Sequence, residues 1–165
     1  MRKQKGFSLI ELLIVVAIIL IIAAIAIPNL MRSKMAANEA AAAANLRTIN
    51  TAEVTYYSAY GDVGYSKDLA SLAGTCTTAT PPAPAAACLI DDTLAAATDS
   101  AHAKSGYIIT FKPGDAASGA TVQTSYTINS DPQSTATGTR HFFTDQTAVI
   151  RYNKTATAAA TDGAI

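Results

Sequence analysis

One carboxylate stands in the most apolar stretch of this chain. Between Phe7 and Ile27 the only polar residues are Ser8 and Glu11. An ionised Glu inside a membrane-spanning segment costs roughly 2.5–3.5 kcal/mol on insertion scales, so such a residue either reaches the headgroups or has a partner and a task. Two thiols, Cys76 and Cys88, are the next residues with chemistry to offer. They can close a disulfide, whereas a zinc site needs more ligands than two thiols and no nearby pair of histidines supplies them. Neither His102 nor His141 sits in a metal-ligand spacing, and His141 sits beside Phe142 where a structural or surface role is the default. Ser, His and Asp all occur, but no nucleophile elbow organises them. The glycines are scattered at turns, not gathered in a phosphate loop. Asn153-Lys154-Thr155 has the form of a glycosylation sequon. No enzyme is expected from these residues, and no cofactor.

The elements around Glu11 are set by charge and hydropathy. The chain carries 12 basic and 12 acidic residues, and three of the cations, Arg2, Lys3 and Lys5, precede the apolar run. The remainder is therefore slightly acidic, which argues against a nucleic-acid groove. About 20 apolar residues match the hydrocarbon thickness of a bilayer. The leading cations are expected to hold the N-terminus on the cytoplasmic side and to place everything after Ile27 beyond the membrane. A cleaved secretory signal would have a shorter apolar core.

Pro28 interrupts this segment, and a proline within a helix costs ~3 kcal/mol or forces a kink. It either ends the anchor or weakens a helix that continues. Continuation is favoured, because Ala36 to Asn45 are nearly all strong helix formers. Leu46, Ile49, Tyr56 and Tyr60 then recur near one face, with Glu53 between them. A helix from about Phe7 to Ala59 would be roughly 80 Å long. Arg32, Ser33, Lys34 and Asn38 form a polar band just past the apolar run, suited to headgroups, neighbours or solvent.

Gly61 and Gly64 mark the helix end, and Ser66 is a candidate cap for a short helical segment reaching Ala73. Cys76 and Cys88 flank a loop holding Pro81, Pro82 and Pro84. In an oxidising compartment outside the cytoplasm these cysteines favour a disulfide, which for so short a loop contributes roughly 3 kcal/mol. Four β-rich runs follow, at residues 106–112, 124–129, 140–144 and 148–152. They predict a three- or four-stranded antiparallel sheet packed on the polar half of the long helix. The tail from Thr155 is expected to be mobile. The fold class is α+β: a long N-terminal helix against a small antiparallel sheet. The segments are 1–6 before the apolar run, 7–28 as anchor, 29–60 as amphipathic helix, 61–105 as the Cys-bracketed loop region, 106–153 as sheet and 154–165 as tail.

Gly6-Phe7-Ser8-Leu9-Ile10-Glu11 after a short basic leader, followed by a long apolar helix, resembles the processing signal of type IV prepilins and pseudopilins. The resemblance is strong through about residue 60 and architectural beyond it. It implies a prepilin peptidase that cuts between Gly6 and Phe7, where glycine lets the backbone be approached closely. The same enzyme would N-methylate Phe7. Glu11 would then neutralise the terminal amine of a neighbouring subunit during assembly, an attraction that strengthens in an apolar core. Pro28 matches the position where such helices unwind locally in filaments.

By the same resemblance the partners are the chain itself as a homopolymer, the membrane, the peptidase, and an inner-membrane assembly platform. A separate ATPase motor is needed, since no nucleotide site is present. The location is the bacterial cytoplasmic membrane, then an extracellular pilus or a periplasmic pseudopilus. Some pseudopilins hold calcium in a C-terminal loop, which makes Asp131 and Asp145 candidates beside their ordinary use in turns. A cysteine pair at residues 76 and 88 departs from the C-terminal disulfide of many pilins. Three functions remain in view: subunit of a type IV pilus, major pseudopilin of a type II secretion system, and a single-span membrane-anchored binding protein. The last predicts tolerance of substitutions at Gly6 and Glu11.

Overall fold

The computed structural model describes residues 7–114 and 122–165. The expected leader at 1–6, including Gly6 at the cut, lies outside the described residues. Two compact units divide at Lys34 and Met35.

Helix α1, Leu9–Ala59, contains Pro28 in its interior and continues through it. Proline there deprives the Ala24 carbonyl of its amide partner, so the helix has one bond fewer at that turn. In the first unit the apolar side chains are exposed on every side, from Phe7 and Leu9 through Leu30 and Met31. A helix apolar all round belongs in lipid or among other helices. It is the single described helix whose length and composition suit a membrane span.

In the second unit α1 becomes amphipathic. Ala42, Ala43, Leu46, Ile49, Ala52 and Tyr56 are buried, as are the polar Asn50 and Glu53. The chain leaves the helix through a turn at Gly64, which has a positive φ of 83° and pairs with Gln123. A Cβ there would meet the Gln123 backbone. Two short helices follow, α2 at Leu69–Leu72 and α3 at Asp92–Ala95. Ser66 does not cap α2. Asp68 does, accepting from the Ser71 amide at 2.8 Å, and Ser66 turns to Glu53 instead.

Five strands form an antiparallel meander in the order β1-β2-β3-β4-β5: Tyr107–Pro113, Tyr126–Pro132, His141–Asp145, Arg151–Asn153 and Gly163–Ala164. Alternation puts Tyr107, Ile109, Tyr126, Ile128, Phe142 and Thr144 on the buried face, and the apolar ones among them join the helix residues in one core. The sheet thus exceeds the expected three or four strands. The fifth comes from the tail, where Arg151 pairs with Ala164 and Tyr152 with Gly163. The tail also buries Ala158, whose carbonyl accepts from Asn129 Nδ2 at 2.8 Å.

Candidate functional site

Ser8 and Glu11 meet at the start of α1. The helix begins at Leu9, so Ser8 occupies the cap position and Glu11 the third helical residue. Glu11 Oε2 accepts from the Ser8 amide at 2.9 Å. This is the returning half of a capping box, and it satisfies one of the donors that a helix N-terminus leaves open. The carboxylate also lies where the helix dipole favours negative charge. Its other oxygen, Oε1, has no protein partner among the described residues. Phe7, directly before the cap, is exposed. Glu11 is thereby fixed at the first turn of α1 through one oxygen only, among the described residues.

The second carboxylate of the helix behaves differently. Glu53 is fully buried, with its oxygens accepting from the Ser66 amide at 3.0 Å and the Ser66 hydroxyl at 2.5 Å. Burial raises its pKa, and the two Ser66 bonds only partly oppose that. One turn earlier, Asn50 joins helix to sheet: it accepts from the Tyr126 hydroxyl at 3.1 Å and donates to Thr144 Oγ1 at 2.9 Å. Burial, reinforced by Glu53, pushes the Tyr126 hydroxyl pKa far up, so this phenol stays a donor. In the sequence Glu53 stands as a polar interruption between Ile49 and Tyr56. Its spacing of four from Ile49 and three from Tyr56 places it on the buried stripe, which is the signal that was available.

Cys76 and Cys88 form a disulfide with Cα atoms 6.0 Å apart. The enclosed proline loop is exposed, but its base is tied down: the Tyr56 hydroxyl donates to the Pro84 carbonyl at 2.8 Å, and the Cys88 and Leu89 amides donate to the Ala73 and Leu72 carbonyls.

Asp131 and Asp145 are not brought together. Asp145 faces Thr127 across the β2–β3 pair, four residues from Asp131. Asp131 binds His141 Nδ1 at 2.6 Å, while Asp145 accepts from the Thr147 amide in the β3–β4 turn. Among the described residues no three His, Cys, Asp or Glu side chains are grouped to hold a metal. His102 pairs with Asp99 at 2.9 Å on the surface. Neither imidazole has a hydroxyl or thiol on its other nitrogen among the described residues, so no nucleophile–base pair is assembled there. Arg32 and Lys34 are exposed.

Residues 1–27 match the family described as the prokaryotic N-terminal methylation motif. The chain is 46% identical over 56 residues to the type IV major pilin protein PilA of Myxococcus xanthus, covering 34% of this chain and 26% of that one. It is 56% identical over 46 residues to the type IV wide pilus major component PilA4 of Thermus thermophilus, covering 28% and 35%. The aligned stretches thus span about a quarter to a third of these relatives' length. No solved structure matches the chain.

Proposed function

From a chain that carries the N-terminal methylation motif and has type IV major pilins among its relatives, we propose that it is the structural subunit of a type IV pilus-like filament. Prepilin peptidase would cleave between Gly6 and Phe7 and methylate the new terminus. The processed chain would wait in the cytoplasmic membrane with α1 as its single span and the second unit outside. Assembly would then exchange lipid contacts of the apolar helix for contacts with other helices, so that small polar terms decide register. An inner-membrane platform and a separate ATPase would drive it.

The carrying observation is Glu11: exposed in the first turn of α1, bonded through one oxygen to the Ser8 amide, and with no partner for the other among the described residues. The terminal amine freed by cleavage has an ordinary pKa near 8, hence a cation at neutral pH. A neighbour's amine at the other oxygen would complete the pair, and an unpaired carboxylate in a filament core would be costly. Pro28 would supply the weak turn at which α1 adapts during packing. The disulfide is consistent with a second unit that leaves the reducing cytoplasm.

Antibody labelling of cells separates the placements. Decorated surface filaments that disappear on deletion of this chain are the expected result. A secretion defect without surface filaments would point to a pseudopilin, and a monomer with no polymer of either kind to a tethered binding protein.

A further inference from the structure

The second unit carries a shallow hollow of about 370 Å³ beside α2 and α3. Its lining includes Ala70, Ala73, Ala86, Ala95 and Ala96, and its one charged residue is Asp92. Asp92 Oδ1 accepts from the Gly74 amide at 3.2 Å, which leaves Oδ2 without a protein partner among the described residues. The neighbouring acids are occupied: Asp91 by Lys104 at 2.8 Å, which lowers its pKa to about 2, and Asp99 by His102. An alanine-walled recess with a half-used carboxylate recognises a cation on an aliphatic stem, whose methylenes cover apolar wall while the charge reaches the acid.

A matching group stands on α1. Arg47 is exposed and makes none of the four ion pairs found among the described residues. Around it the helix surface is low. Ala44 and Thr51 one turn away, Thr48 beside it and Ala40 two turns away are its exposed neighbours, and both threonine hydroxyls bond back to carbonyls four residues earlier. That leaves a surface which another body can approach closely without stranding a donor. Charge is distributed in the same sense: residues 61–105 hold Asp62, Asp68, Asp91, Asp92 and Asp99 against Lys67 and Lys104.

Resting on the filament reading, we infer that Arg47 of one copy inserts into the Asp92 hollow of the next. Two different patches make such a contact heterologous, and a heterologous contact that does not close propagates into an open helical array. It would order the bodies outside the membrane, whereas Glu11 acts within the helix core.

The test uses the full chain in its own cells, reading sheared polymer against membrane-held subunit. Arg47→Glu and Asp92→Lys each lower the polymer fraction about tenfold or more, since like charges face each other. The reciprocal pair Arg47→Glu with Asp92→Lys restores a large part of it. Arg47→Gln, which loses the charge and stays polar, gives filaments that dissociate at lower salt than the parent. Melting of each solubilised single variant guards against misfolding: Arg47→Glu stays near the parental value, and Asp92→Lys loses only the exposed bond from the Gly74 amide, a small drop that leaves the chain folded. Parental polymer levels in Arg47→Glu, or a double exchange no better than either single change, would overturn the contact. So would an Arg47→Glu chain that loses only its binding to vesicles of anionic phospholipid, since the arginine would then read lipid. A parental chain that never polymerises defeats the filament reading itself and is distinguished by that control.

Discussion

Glu11 and Glu53 lie on the same helix, and each accepts a hydrogen bond from a serine backbone amide, at 2.9 and 3.0 Å. Their surroundings reverse the meaning of that bond. Glu11 is bonded within three residues of sequence and has no partner for its other oxygen among the described residues, amid exposed apolar side chains. Glu53 is fully buried, spends both oxygens on Ser66, and ties the end of α1 to the turn beyond it. The two units differ in the same way. Polar contacts in the second reach across the chain, from Asn50 to Tyr126 and Thr144, and from Glu39 to Thr139 and Arg140. A locally capped carboxylate makes no tie to distant chain, while one bonded across a loop is committed to the fold.

The contrast breaks most visibly at Glu11. Glu11→Val is expected to abolish polymer while leaving a folded, membrane-held subunit, as measured by the sheared fraction and by melting of the solubilised chain. Normal polymer yield from this variant would remove the distinction. Next in size is the Cys76→Ser, Cys88→Ser chain, which should lose about 3 kcal/mol of stability in denaturant titration by the loop-entropy argument. A loss near zero would mean that the bonds at the loop base already restrict it.

Glu53→Ala follows, at about 2 kcal/mol, because the Ser66 amide and hydroxyl lose their acceptor inside the core. The pH dependence has a defined sign. Burial raises the folded-state pKa of Glu53 above the ordinary carboxylate value. Its protonated form therefore favours folding fully below the unfolded pKa, and that contribution is lost as pH rises through the folded one. Glu53→Gln should flatten this part of the stability–pH curve, and a curve unchanged by the substitution would argue against the assignment. Smallest is Tyr126→Phe, expected to cost about 1 kcal/mol by removing a donor from Asn50, with no effect on processing.

Much of this was legible from local pattern. The apolar run, the alanines after Pro28 and the stripe from Leu46 to Tyr56 specify a helix through short-range propensity, which dominates where a segment is long. The four β-rich runs point to β1 through β4 within a few residues. Errors arose where distant chain decides. Gly163 and Ala164 carry no strand pattern and become β5 only because β4 has an edge to pair. Ser66 has the chemistry of a cap, yet Glu53, thirteen residues earlier, claims it and leaves the cap to Asp68. Near the N-terminus the cost of a carboxylate in an apolar run marks Glu11, but its bond to Ser8 depends on the helix starting at Leu9.

Intact-mass and N-terminal fragment spectrometry of the purified native protein bears most directly on the filament role. A mature species beginning at N-methylated Phe7 and recovered in polymer is the expected result. A chain that keeps Met1 to Gly6 and stays monomeric in the bilayer would contradict it.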